Sequence, residues 1–314
     1  MIRIATRGSA LALAQARLVG EQLGDAELVE VSSGGKPGDK ARFVRGVEAA
    51  LLGAEAEIGV HSAKDVPAEI PEDLMIAAVP AREDPSDVWV GAGSSLDDVS
   101  EGATVGTASL RRRAQLLAAR PDLRVVELHG NVDTRLRRLA EGELDAIVLA
   151  AAGLRRLGRD GDAAFAIPTA QMTPAAGQGA LVLQTRAGNE RATAAAGALG
   201  DETALRELTA ERATIALLEA TCMTPIGVHA RVDGERLEVE AFVGLPDGSE
   251  WIRDRVEGEA EDPAAAGALL AERLLSAGAR DILDRAEAAA IPADGPATSQ
   301  YRTESAHRGK GTVD

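Results

Sequence analysis

The sequence predicts an α/β protein with a small α+β unit toward its C-terminal end, and three observations carry that reading. Short β-like runs alternate with runs of helical apolar spacing from Ile2 onward. A second series of the same kind starts near Asp87. After Asp201 the alternation gives way to strand runs separated by turn residues.

In the first series Ile2 to Ala5 reads as a strand and Ser9 to Leu23 as a helix, because Leu11, Leu18 and Val19 share one face. Glu27 to Val31 then reads as a strand, Phe43 to Leu52 as a helix, and Glu57 to His61 and Leu74 to Val79 as strands. The second series runs through strands Val88 to Val90 and Thr104 to Gly106, helix Leu110 to Ala118, strand Arg124 to Leu128, helix Val132 to Ala140 and strand Asp145 to Leu149. Gly177-Gln178-Gly179 leads into a further strand, Ala180 to Gln184, followed by an Ala-rich helix. The last unit begins with a long helix through Glu219 and a loop carrying Cys222. Strands separated by Asp233-Gly234 and by Pro246-Asp247-Gly248-Ser249 read as antiparallel hairpins, closed by one helix from Pro263 to about Ala286. Beyond Ile291 the chain has no apolar period and reads as disordered.

Composition excludes several classes. At ~100–200 residues per domain, 314 residues suggest two or three domains, and 45% hydrophobic content can give each a core. With 34 Lys and Arg against 50 Asp and Glu, the formal charge of −16 repels nucleic acid and anionic lipid, so neither is an expected partner. One Cys allows no internal disulfide, and no Cys/His spacing suits zinc, so a reducing, cytoplasmic setting without a metal is expected. The apolar run Ala10 to Ala14 is cut by Gln15 and Arg17, short of the ~7–15 residues of a signal-peptide core. Ala146 to Leu154 is about half of the ~18 residues that a membrane span needs.

The sharpest anomaly is Arg111-Arg112-Arg113 just after Thr107 and Ser109, where Ser109 reads as a helix N-cap. Cations there oppose the helix dipole by ~0.3–1 kcal/mol each unless an anion sits among them. The next helix repeats the pattern, with Arg135, Arg137 and Arg138 soon after Gly130-Asn131. Two neighbouring strand-to-helix turns thus read as anion sites along one crevice, although a solvated basic face is the alternative. Lysine is scarce, only Lys36, Lys40, Lys64 and Lys310, so Lys40 and Lys64 stand out beside strand ends.

Asp65 lies at the carboxyl end of a strand, where α/β sheets place ligands. Among Lys and Arg it should stay ionised and could stabilise a developing cation, or it could simply cap a turn. His61 is either a packed strand histidine or a base. Cys222 is a buried small residue or a reactive thiol, and no His stands in a recognisable relation to it. Gly34-Gly35-Lys36-Pro37-Gly38 lacks the Gly-Lys-Ser/Thr ending of a phosphate loop, so no nucleotide site is expected.

Several segments, in order, resemble the porphobilinogen deaminase family. They are Arg3-Ile4-Ala5-Thr6-Arg7-Gly8-Ser9, His61-Ser62-Ala63-Lys64-Asp65-Val66-Pro67, Gly106-Thr107-Ala108-Ser109-Leu110-Arg111-Arg112 and Gly130-Asn131-Val132-Asp133-Thr134-Arg135. Ala152-Gly153-Leu154-Arg155-Arg156-Leu157-Gly158, Gly177-Gln178-Gly179 and Cys222 before Pro225-Ile226-Gly227 complete the set. The resemblance implies two doubly wound lobes like a two-lobed periplasmic binding protein, plus a small α+β domain carrying the cofactor cysteine. The expected divisions are 1–80 with 180–197, then 86–174, then 201–290, with 291–314 as a tail.

The implied activity is hydroxymethylbilane synthesis: four porphobilinogen molecules join head to tail with loss of ammonia, and the linear product is released with water. By resemblance a covalent dipyrromethane is attached as a thioether to Cys222, and Asp65 is catalytic. Arg7, Ser9, Lys40, Ser62, Lys64, Thr107, Ser109, Arg111, Arg112, His129, Arg135 and Arg156 match positions that hold cofactor or substrate. A monomer is expected. Four departures stand out: a shortened 31–43 loop, Ala108 for a common Ser, Ala220-Thr221 for a Gly pair, and His129 for the usual Arg. A non-catalytic two-lobed binding module, or an enzyme using Cys222 as a thiolate nucleophile, are the competing classes.

Overall fold

The structure is a computed structural model that describes residues 1–32, 42–220 and 224–290. The first lobe opens with β1 (Ile2–Arg7), α1 (Ala10–Leu23), β2 (Ala26–Val31), α2 (Arg42–Leu52), β3 (Ile58–Ser62) and β4 (Leu74–Ala78). Ser9 caps α1, its side chain accepting from the Ala12 N–H. The chain then enters the second lobe through β5 (Asp87–Gly91), β6 (Thr104–Gly106), α3 (Leu110–Ala119), β7 (Arg124–Val126), α4 (Val132–Ala140), β8 (Ala146–Ala150), α5 (Ala151–Arg156) and β9 (Phe165–Ile167). It returns to the first lobe with β10 (Leu181–Arg186) and α6 (Glu190–Gly197).

The two sheets repeat one topology. The first has the order β2-β1-β3-β10-β4, and the second β7-β6-β8-β5-β9. In each, three parallel strands meet one antiparallel strand that has just crossed from the other lobe: β10 against β3, with Leu181 opposite Ser62, and β5 against β8, with Asp87 opposite Ala150. Both sheets are therefore pinned to the two crossing segments, residues 79–86 and 168–180. The cores are largely aliphatic, with Ile4, Ile58 and Leu183 in one lobe and Leu116, Ile147 and Ile167 in the other. Trp89 is buried in the second and stacks on Phe165 at 5.9 Å between ring centroids.

The last unit is an antiparallel meander, β11 (Ile226–Asp233), β12 (Arg236–Gly244) and β13 (Trp251–Glu259), packed on α7 (Glu202–Leu217), α8 (Pro263–Ser276) and α9 (Ala279–Ala290). Here the structure corrects the expected single closing helix: α8 stops at Ser276, and Gly278 at φ +100° turns the chain into α9. The run Ala146 to Leu154 also divides, into the whole of β8 and the start of α5, and most of its apolar residues are buried in the lobe. Among the described residues no helix is long and apolar enough to cross a membrane.

Gly177-Gln178-Gly179 fixes how closely the two crossings approach. Gly177 (φ +72°) and Gly179 (φ +89°) both take the left-handed region, and a Cβ at Gly179 would overlap the Glu83 carbonyl oxygen of the other crossing. Gly179→Ala should therefore lower unfolding stability by about 1–3 kcal/mol more than Gly188→Ala, through overpacking alone. Gly188 has a similar φ of +78° but open space around it, so it isolates the conformational part. Equal urea midpoints for the two variants would show that the crossings can separate freely.

Candidate active site

The crevice lies between the lobes and against the second crossing. Ser62, Lys64, Arg112, Arg135 and Arg156 line it together with Gln15 and Gly179. Lys64 sits in a short helical turn, Ala63–Asp65, at the carboxyl end of β3. Arg135 and Arg156 come from α4 and α5, and Arg112 from the first turn of α3. The two strand-to-helix turns singled out by their arginines thus do open toward one space. Their caps form as well: Ser109 accepts from the Arg112 N–H, Asn131 from the Thr134 N–H, and Thr107 Oγ1 from the Ser109 N–H at 3.1 Å.

The cations differ in what they touch. Arg135 Nε donates to the Gly130 carbonyl at 2.9 Å, and Arg156 Nη2 to the Gly179 carbonyl at 2.6 Å. Both acceptors are neutral. Burial lowers the Arg135 pKa to about 10, with Arg112 adding to the effect, and burial lowers that of Arg156 against the pull of Glu83. Solvent reaches Lys64, yet the concave walls desolvate its ammonium; that burial, then Arg112, push its pKa to about 8 although Asp65 and Asp87 oppose them. A cluster of this kind calls for an anion supplied from outside, and several carboxylates on one ligand would answer it.

Arg111 and Arg112 do have an anion, and it belongs to the chain. Asp87, at the start of β5, is completely buried and accepts from Arg111 Nη1 at 2.7 Å, from Arg112 Nε at 2.9 Å and from Arg112 Nη2 at 2.7 Å. Burial alone would raise its carboxyl pKa, but Arg111 and Arg112 outweigh burial and hold it well below the usual range. The unfavourable dipole position of these arginines is thus offset in part by a residue 24 positions upstream of Arg111. Arg113, the third of the run, donates to the Val125 carbonyl at 2.7 Å.

Asp65 faces Arg7 at 3.9 Å. Its turn is held from outside the lobe: Arg212 of α7 donates to the carbonyls of Val66, Pro67 and Ala68 at 3.2, 2.8 and 2.8 Å. Ser62 pairs with Gln15, whose Nε2 donates to Ser62 Oγ at 2.9 Å. His61 is buried, its Nε2 lies 3.0 Å from Gln184 Oε1, and burial pushes its pKa down to about 4, so it stands neutral in the strand rather than poised as a base.

His129 stands elsewhere. The expectation set it among arginines, but its side chain is 74% exposed and its Nε2 lies 2.6 Å from Glu127 Oε1, although Leu128 beside it is buried. It does not line the crevice. Lys40 and Cys222 lie outside the described residues, as do the shortened loop from 33 to 41 and the tail from 291.

A second buried knot joins the third unit to both crossings. Glu211 of α7 is completely buried and accepts from Arg82 Nη1 at 2.8 Å, from the Gly177 N–H at 2.6 Å and from the Ala230 N–H at 2.8 Å. Sequence reasoning missed Gln15, Asp87, Arg82, Glu211 and Arg212. Gln15 and Glu211 carried a faint signal, each a polar residue on an otherwise apolar helical face; Asp87 carried another, as an acid opening an apolar strand.

Two family models match the chain. One, "Porphobilinogen deaminase, dipyromethane cofactor binding domain", covers residues 2–194, and the other, "Porphobilinogen deaminase, C-terminal domain", covers residues 205–276. The chain belongs to the porphobilinogen deaminase family. Among its relatives, the porphobilinogen deaminase of Syntrophus aciditrophicus is 42% identical over 302 residues, spanning 91% of this chain and 99% of that protein. That of Thermus thermophilus is 43% identical over 295 residues, spanning 90% of this chain and 98% of that protein. Among solved structures, the chain is similar to the VFT2 domain of Bordetella pertussis BvgS, with a TM-score of 0.38 and 18% identity over 62% of this chain and 84% of that one. It is also similar to an L-cystine solute receptor of Neisseria gonorrhoeae, with a TM-score of 0.36 and 17% identity over 63% of this chain and 84% of that one.

Lys64 makes anion capture pH-dependent. A bound carboxylate raises the pKa of Lys64 above its empty-crevice value of about 8, so its contribution is whole below that value and is lost as pH rises through the bound pKa. Calorimetric titration with a small tricarboxylate such as citrate should show affinity falling between about pH 8 and the ~10.4 of a free lysine, and Lys64→Arg should flatten that fall. Parallel pH profiles for the two proteins would remove Lys64 from the site.

Proposed function

We propose that this chain is a hydroxymethylbilane synthase. It condenses four porphobilinogen molecules head to tail, expelling ammonia each time, on a dipyrromethane held as a thioether by Cys222, and releases 1-hydroxymethylbilane by hydrolysis. Family membership supports the reaction. One structural observation carries the reading of the site: in a chain of formal charge −16, Lys64, Arg135 and Arg156 face one crevice without a carboxylate in contact among the described residues. Acetate and propionate arms on every pyrrole ring supply the anions that such a crevice lacks.

The donor set therefore fits a dipyrromethane. Arg112, Arg135, Arg156 and Lys64 would hold its carboxylates and those of the incoming pyrrole, with Ser62, Thr107 and Ser109 as hydroxyl partners; Lys40 and Cys222 enter on their sequence match alone. When bound, the dipyrromethane supplies a primer whose terminal pyrrole receives the first unit. Departure of ammonia from porphobilinogen leaves a methylene carbon short of electrons, with the positive charge shared into the ring and its N–H. Asp65 answers that charge, its carboxylate accepting from the pyrrole N–H groups as their polarity grows. Arg7 opposite Asp65 and Arg212 behind the turn keep the carboxylate facing one way. A lone cysteine committed to a thioether suits a reducing compartment, so action in the cytoplasm is part of this reading.

Two variants test it. Cys222→Ser should lack the mass of two pyrrole units on the intact protein and should not turn over; retention of both would unseat the attachment. Asp65→Asn should fold and keep the pyrrole mass while losing about 10²–10³ in turnover, the scale for removing one preorganised charge partner. Asp65→Glu should retain a trace. Near-normal product formation by Asp65→Asn would reduce Asp65 to a turn residue.

A further inference from the structure

Arg112 has five N–H donors in a planar fork. Three are committed: Nε and Nη2 to Asp87 Oδ1, and Nη1 to the Val148 carbonyl at 2.8 Å. One N–H remains on Nη1 and one on Nη2, and both are left to a carboxylate in the crevice. Arg112 lines the crevice, whereas Asp87 lies behind it and does not. The aspartate therefore takes the Nε and Nη2 side of the fork and fixes the direction of the rest.

The same carboxylate reaches the crossings. Asp87 follows the first crossing directly, and Gln178 Nε2 of the second crossing donates to its Oδ1 at 3.0 Å and to the Pro85 carbonyl at 2.7 Å. Arg111 Nη1 donates both to Asp87 Oδ2 and to the Thr173 carbonyl, 2.8 Å away near the middle of the second crossing. One buried anion thus ties a crevice cation to both segments that join the lobes. Without it two adjacent buried guanidinium groups would face each other with no counterion, and Arg112 would turn toward other acceptors.

We propose that Asp87 is a positioning residue for ligand capture: it aims the remaining N–H donors of Arg112 into the crevice and holds that aim relative to the crossings. The inference rests on the reading of Arg112 as a carboxylate partner. It sets the two arginines apart, since Arg112 lines the crevice and Arg111, which spends Nη1 on Asp87 and the crossing, does not.

The test is a double-mutant cycle between Asp87→Asn and Arg112→Gln, with two readouts. One is the rate at which cofactor-free protein gains the pyrrole mass on incubation with porphobilinogen, followed by intact mass. The other is KM against kcat for loaded protein. Asp87→Asn should slow loading and raise KM at least about tenfold while kcat falls less than threefold, and should add less than about twofold in the Arg112→Gln background, because acting through Arg112 makes the two changes non-additive. The same fold-change in both backgrounds, or a loss confined to melting temperature, overturns the proposal. If Arg112→Gln alone leaves loading and KM untouched, the carboxylate reading of Arg112 fails first and this inference with it. Should Arg112→Gln load too slowly to follow, Arg112→Lys serves as the second background. Should Asp87→Asn not fold, Asp87→Asn with Arg111→Gln keeps the buried charge balance; measured against Arg111→Gln alone, it must still show the tenfold change.

Discussion

Like charges crowded into a concave, partly dry space repel one another, and this protein must hold several cations in such a space before any ligand arrives. Everything around the crevice answers to that constraint. Arg135 and Arg156 rest on carbonyl oxygens, whose dipoles ease the charge without cancelling it. The buried negative charge of Asp87 sits behind Arg112, where it steadies the cluster without occupying the opening. A carboxylate paired with Arg112, Arg135 and Arg156 from the front would have neutralised them and closed the site in the same stroke.

The two buried acids divide the work of joining three units. Asp87 binds the second lobe to the crossings, and Glu211 binds the third unit to the same crossings through Arg82 and the Gly177 N–H. Each is satisfied by several donors, the condition under which a charge tolerates full burial. Arg212 extends the linkage from α7 to the turn after Asp65. The helix that leads toward Cys222 and the turn that presents Asp65 are therefore parts of one hydrogen-bonded frame.

Much of this was legible in the sequence where a local rule was broken. Arg111 and Arg112 stood against a helix dipole, and that conflict pointed to an anion, although the anion found at them is a side chain from another strand. Asp87 itself was only faintly legible, because an acid before an apolar run reads equally well as a turn residue, and only the sheet order brings it to α3. The strand and helix alternation was legible because period 2 and period 3.6 patterns are local. The break at Gly278 was missed because the Ala- and Leu-rich pattern continues through it, and the exposure of His129 and its contact with Glu127 were not legible because a motif position does not convey where a side chain points. Cys222 and Lys40 were read from motif alone.

The scarcity of aromatic residues has an optical consequence. The chain has two tryptophans, and the fold assigns one to each of two units: Trp89 is buried in the second lobe against Phe165, and Trp251 is half exposed at the start of β13, its ring 6.0 Å from that of Phe242. Neither belongs to the first lobe. Ultraviolet emission should thus divide into a blue component from a dry indole and a red component from a wet one. The first reports on the lobe that carries the arginines, the second on the unit that follows α7, and no label need be introduced to tell their motions apart.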